Sequence, residues 1–177
     1  MPDLFHGDPV PLNKPGGFDL MKWLSGPPGH EPERVQPVVE SVIKVLRTEM
    51  GVERLGGVGY CFGGKYVILN LKGPSALDVG FIAHPSFVES SEVRAIAGPL
   101  SIAAAETDTI FPAEKRRETE DILAGAEVQQ PHQMTLYGGV EHGFAVRGDV
   151  AKKEVRFAKE SAFHQAVRWF DEFLHLS

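Results

Sequence analysis

The sequence predicts an α/β protein with a mainly parallel sheet and helices on both of its faces. Two observations carry this. Short apolar runs alternate along the chain with segments of helical periodicity, the order expected of β-α units. The runs are also continuously apolar rather than alternating, as strands covered on both faces are. At 177 residues, a single domain over 1–177 is expected, long enough for a real core.

The elements follow in order. The first 30 residues hold six of the 13 prolines (Pro2, Pro9, Pro11, Pro15, Pro27 and Pro28) and read as loop with one helical turn around 18–24. From Pro32 to Met50, Val35, Val38, Val39, Val42, Val45 and Leu46 recur at helical spacing, and Gly51 is a stop. Leu55 to Tyr60 is an apolar run containing glycines and reads as a buried strand. Gly63-Gly64 opens a helix to about Leu71, ended by Gly73-Pro74. Val79 to Ala83 and Leu100 to Ala105 are the second and third strands. Ala113 to Leu123 is a helix closed by Gly125, and Gln133 to Tyr137 is a fourth strand. A long amphipathic helix ends the chain, with Val155, Ala158, Ala162, Phe163, Ala166, Val167, Phe170 and Leu174 on its apolar side.

Composition excludes several classes. The formal net charge is −6, with 18 Lys and Arg scattered among 24 Asp and Glu, so a nucleic-acid partner is not expected. No apolar run approaches the ~18 residues of a membrane span, and the first residues lack the basic head and apolar core of a signal peptide. The single Cys cannot close an internal disulfide, which suits a reducing compartment, and cytoplasm is the expectation. There is neither CxxC nor HExxH, so no metal is expected.

The chemistry-bearing string is Gly57-Val58-Gly59-Tyr60-Cys61-Phe62-Gly63-Gly64, between a predicted strand and a predicted helix. It has the G-x-S-x-G form with Cys for Ser. A strand-to-helix turn this tight demands little bulk at Gly59 and Gly63. It strains the backbone of Cys61 and projects its sulfur from the sheet rim. The helix starting there favours thiolate over thiol, and the Phe62 N–H is placed to bind an oxyanion. The competing reading is a buried core cysteine.

A nucleophile of this kind needs an acid and a His further along the chain. Asp108 follows the third strand and His142 the fourth, on the rim where ligand chemistry collects in open α/β sheets. Asp108 would orient the His142 ring, and His142 would act as base. Asp108 could instead cap the helix near Ala113, Glu106 is a rival acid, and His142 could be a surface residue. His6, His30, His132, His164 and His175 have no comparable setting. His84 ends the second strand on the same rim and either lines the pocket or caps the strand. Arg147 either grips a substrate carboxylate or pairs with Asp149 at the surface.

With these residues in place, the sequence resembles the dienelactone hydrolase (carboxymethylenebutenolidase-like) family, in wording closest to its fungal, eukaryotic-type branch. The resemblance rests on Met1-Pro2-Asp3-Leu4-Phe5, Gly57–Gly64, His84-Pro85-Ser86-Phe87, Glu106-Thr107-Asp108, His142-Gly143-Phe144-Ala145-Val146-Arg147 and the helix around Trp169-Phe170. It implies the α/β-hydrolase fold and a Cys61–Asp108–His142 triad. His84, Arg147 and Phe144 would contact the substrate. The implied reaction is hydrolysis of an enol-lactone or ester through a thioester, without metal or organic cofactor. It also implies that the family's earlier strands, second oxyanion donor and thiol-contacting acid lie in a segment that this sequence lacks, so the fold is expected to be amino-terminally truncated. A catalytically impaired remnant that acts as a binding protein is the alternative. In the bacterial branch an Arg follows the Pro-Asp-Leu segment, where this chain has His6-Gly7-Asp8. A small-molecule ester or lactone is the expected partner, and a homodimer the expected assembly.

Overall fold

The computed structural model describes residues 2–11 and 15–174. Met1, which opens the Pro2–Phe5 motif, and His175 lie outside the described residues, as does the end of the expected last helix. The residues up to Gly51 and those from Val52 onward form two compact units, taken in turn.

The first unit carries α1 (Leu20–Ser25) and α2 (Pro32–Thr48). α1 begins where Asp19 Oδ1 accepts from the N–H groups of Met21 and Lys22, at 2.9 and 3.1 Å. α2 starts on Pro32, whose missing N–H costs nothing in a first turn, and tolerates a second proline, Pro37, inside. It ends two residues short of the expected Met50. His30, which had no setting in the sequence, is buried here. Its ring stacks on Trp23 at 3.9 Å between centroids, and its Nδ1 lies 2.8 Å from the Trp23 carbonyl oxygen, which fixes Nδ1–H as the donor.

The second unit contains β1 (Gly56–Tyr60), α3 (Phe62–Asn70), β2 (Val79–Ala83), α4 (Ser90–Arg94), β3 (Leu100–Thr107), α5 (Ala113–Ala124), β4 (His132–Glu141), α6 (Phe144–Arg147) and α7 (Lys153–Phe173). The four strands form one sheet in the order β1-β2-β3-β4, all parallel. Helices cover both faces. Gly80 leaves room for Val67 of α3 and for Leu71, which caps that helix, on one side, while Phe81 and Ala83 pack on the other against Val155, Ala158, Ala162 and Ala166 of α7. The alanines let α7 come close to Phe81, Tyr137 and Phe144. Each such ring, fully buried, contributes about 1.5–3 kcal/mol.

Continuous burial holds for β2 and for most of β3, but not at the edges. β1 alternates: Val58 and Tyr60 are exposed, while its start is covered by Phe170 of α7 against Gly56. The short α4 and α6 were not foreseen, since four or five residues cannot display a helical period.

The length of β4 matters most for the site. It runs to Glu141, past the expected Tyr137, because the β3–β4 ladder continues beyond an irregularity at Ala105/Thr107 to pair Thr107 with Glu141. Glu106 braces this irregularity, its Oε2 accepting from the Gly139 N–H at 2.7 Å, and Gly139 adopts a φ of 71°. The extension delivers His142 to the sheet rim, where its N–H donates to the Thr107 carbonyl at 3.2 Å.

Candidate active site

Cys61 occupies the turn between β1 and α3 at φ 50° and ψ −113°, a conformation that non-glycine residues rarely hold. Its backbone is fixed on every side. Its N–H donates to the Ala83 carbonyl at 3.1 Å, and its carbonyl accepts from Gly64 and Ser86 at 3.1 and 3.0 Å. The glycines around it differ from expectation. A side chain on Gly59 would lie 2.5 Å from the Gly63 carbonyl oxygen, so Gly59 must lack bulk. Gly63 faces open space, which corrects the expectation that it too is sterically required. Gly64 takes that place, because a side chain there would meet Pro85 at 2.9 Å.

The three expected residues meet. His142 Nε2 lies 3.0 Å from Cys61 Sγ, and His142 Nδ1 lies 2.8 and 3.0 Å from the two oxygens of Asp108. Asp108 does not cap α5, whose N-cap is Pro112. Its Oδ1 instead accepts from the N–H groups of Ile110 and Phe111, at 2.8 and 2.9 Å, closing a local turn that orients the carboxylate. The rival Glu106 is spent on Gly139.

The electrostatics follow from these contacts. Burial pushes the Cys61 thiol up, but hydrogen bonding from His142 and Ser86, the nearby His84 ring and the His142 charge outweigh it and bring the thiol down to about 5. Burial lowers His142, yet Asp108 and Cys61 together raise it to about 9. Burial also opposes ionisation of Asp108, but its bonds to His142, Phe111 and Ile110 leave its carboxyl below the usual range. The shifts all run toward a thiolate–imidazolium pair held by an ionised carboxylate.

His84 is almost fully buried at φ 37°, its ring 5.0 Å from that of His142 and 6.1 Å from that of Tyr60. Neither ring nitrogen has a hydrogen-bond partner of good geometry among the described residues. Phe144 is buried in the core cluster with Tyr137 and the α7 alanines and meets His84 edge-on, so it stands behind the site wall. Arg147, on α6, lays its guanidinium over Gly143, beside a cavity of about 340 Å³ that His142 also lines. It forms no ion pair with Asp149 among the described residues; Asp149 accepts instead from the Ala151 N–H. Phe62 is the first residue of α3.

Sequence reasoning missed two residues. Ser86 places its Oγ 3.2 Å from Cys61 Sγ. Lys65, one helical turn beyond Cys61, is buried, with its Nζ donating to the Phe87 carbonyl at 3.0 Å and lying 2.7 Å from Glu92. The string His84–Phe87 was visible as a rim segment, but the turn that aims Ser86 at the sulfur depends on positive φ at His84 and Phe87, which the sequence does not display. Among the described residues no group of three or more His, Cys, Asp or Glu side chains could hold a metal, and no helix is long and apolar enough to cross a membrane.

A parallel sheet with a strained strand-to-helix turn at Cys61, and an acid and a His on successive strand ends, has the architecture of an α/β-hydrolase. The comparisons narrow the class. The dienelactone hydrolase family model matches residues 1–174, and the chain belongs to that family. It is 55% identical over 179 residues to hydrolase tropI of Talaromyces stipitatus, covering 98% of this chain and 69% of that protein. It is 33% identical over 178 residues to dienlactone hydrolase 1 of Gibberella moniliformis, covering 97% and 67%. A Klebsiella pneumoniae crystal structure assigned as a dienelactone hydrolase superposes with a TM-score of 0.71 at 14% identity, over 88% of this chain and 68% of that one. The chain is thus an ester or lactone hydrolase of α/β-hydrolase fold.

Proposed function

We propose that the chain hydrolyses a lactone or carboxylic ester of the dienelactone type through a thioester on Cys61. The observation that carries this reading is the continuous relay from Asp108 through both ring nitrogens of His142 to the sulfur, at 2.8 and 3.0 Å. The thiolate attacks the carbonyl carbon. The oxyanion forms beside the N-terminus of α3, where the Phe62 N–H and the helix dipole oppose its charge. Because His142 starts protonated, it serves first as acid: the C–O bond breaks and the leaving oxygen takes the Nε2 proton. An enolate leaving group needs little such help, which suits a thiolate nucleophile. The now neutral ring, kept in the correct tautomer by Asp108, takes a proton from water as that water attacks the thioester.

In this reading His84 and Arg147 contact the substrate. His84 offers a buried imidazole beside the reacting sulfur, and Arg147 offers a guanidinium suited to a carboxylate at the edge of the site. Phe144 acts through His84 by supporting its ring. The test is a burst assay with a p-nitrophenyl ester of a short acid, with mass spectrometry of the quenched protein. A stoichiometric burst with an acyl adduct on Cys61, lost in Cys61→Ala and retained in His132→Ala, is the expected result. Folded protein without any adduct would remove the thioester mechanism and favour a binding role.

A further inference from the structure

We propose that Ser86 is a further catalytic residue, its hydroxyl the second hydrogen-bond donor to the Cys61 sulfur, held in place by the buried Lys65. The proposal rests on Cys61 being the nucleophile. Ser86 Oγ lies 3.2 Å from Sγ, and the side chain is buried. No other hydrogen-bond partner of this hydroxyl is found among the described residues. A thiolate carries no proton, so in the thiolate state the hydroxyl must be the donor. Burying a hydroxyl with sulfur as its sole partner adds little to stability. The contact makes sense as a device for the sulfur.

The geometry is built from both sides. The Ser86 N–H donates to the Cys61 carbonyl at 3.0 Å, so the backbone of one residue carries that of the other. His84 and Phe87 flank the segment at φ 37° and 57°, which turns Ser86 inward. Lys65 then ties the Phe87 carbonyl to α3, the helix that starts at the nucleophile. Pro85 packs against Gly64 on the same helix. The hydroxyl is therefore aimed before any substrate arrives.

Its contribution comes twice. At rest it stabilises the thiolate beside the His142 imidazolium. In deacylation the water oxygen bonds to the acyl carbon and the water proton passes to His142 Nε2. The C–S bond then breaks, and its electron pair returns to a sulfur that the Ser86 O–H and the imidazolium both receive. The other titratable groups around the sulfur are His84 at the end of β2, Tyr60 on β1, His142 on the β4–α6 loop and Asp108 behind it. Lys65 on α3 directs its charge to Glu92.

The test is the pH dependence of Cys61 alkylation by iodoacetamide, read by mass spectrometry, in the wild type, Ser86→Ala and Ser86→Thr, with acyl-adduct lifetime measured alongside. Ser86→Ala should move the alkylation midpoint up by roughly one pH unit, about a tenfold loss of thiolate below the midpoint, and lengthen the adduct's life. Ser86→Thr, which keeps the hydroxyl, should stay near the wild type. Ser86→Gly is the second variant without a hydroxyl should Ser86→Ala fold poorly. An unmoved midpoint in a folded variant, or a Thr variant shifted as far as the Ala one, would overturn the proposal. Alkylation reads the thiol whether or not the enzyme turns over. A shifted midpoint with no acyl adduct on Cys61 in any variant would therefore remove the nucleophile reading, and with it the catalytic role of Ser86, while leaving the hydrogen bond.

Discussion

His142 Nδ1 lies 2.8 and 3.0 Å from the two oxygens of Asp108, so one carboxylate fixes both the tautomer and the plane of the ring. Asp108→Asn should break this relationship without altering shape. The amide can offer its NH2 to Nδ1, which then carries no proton, and Nε2–H turns from base to fixed donor. Turnover should fall by roughly two to four orders of magnitude. Glu106→Gln should fall by far less, because a carbonyl oxygen can still accept from Gly139. Steady-state kcat on a p-nitrophenyl ester ranks the two variants, and the reverse order would transfer the acid's role to Glu106.

A second prediction concerns pH. The thiol of Cys61 is lowered to about 5 and the imidazolium of His142 raised to about 9. The active pair needs sulfur without a proton and the ring with one. It is lost below about 5, where sulfur protonates, and above about 9, where the ring deprotonates. The profile of kcat/KM should therefore be a broad bell with limbs near these values, each belonging to the coupled pair rather than to one residue. A single rise near the ordinary pKa of imidazole would instead mean a neutral resting pair.

The glycines of the turn at Cys61 give a third. Alanine at Gly59 collides with backbone atoms of Gly63 and Gly64 that cannot move aside, and should cost about 1–3 kcal/mol or more. Alanine at Gly64 pushes on Pro85 and hence on the segment carrying Ser86, so activity should fall further than stability. Alanine at Gly63 meets open space and should leave both near wild type. Urea unfolding and kcat of the three variants check this order.

That order shows where the sequence was legible and where it was not. The strand–turn–helix setting of Cys61, and the strand ends that bear Asp108 and His142, were readable because periodicity and glycine punctuation mark them. The family motif likewise put bulk limits at both Gly59 and Gly63. Which glycine is sterically needed depends on where Pro85 lies, a contact across 21 positions of chain that no local pattern encodes. Ser86 and Lys65 escaped for the same reason. A lysine after a glycine pair in an apolar helix looks like a surface residue until Phe87 and Glu92 are brought to it. The extension of β4 through Gly138-Gly139 was hidden because glycines read as a stop, and only pairing with Thr107 carries the strand onward.

The Lys65–Glu92 pair yields the last prediction. Lys65 is buried, and the Glu92 side chain is 19% exposed, with one of its oxygens buried and without a partner among the described residues. Lys65→Met would strand this carboxylate and free the Phe87 carbonyl. Removing one partner of a buried pair costs about 3–5 kcal/mol, and the remaining exposure of Glu92 puts the expectation at the lower end. Replacing both, in Lys65→Met/Glu92→Leu, removes the stranded charge and should recover much of that stability. The double variant should still turn over more slowly than wild type, because the carbonyl tether that positions Ser86 is gone in both. Thermal unfolding and kcat measured together separate the effects. If the double variant recovered activity as fully as stability, Lys65 would be serving the charge of Glu92 alone, and the tether would have no part in holding the site.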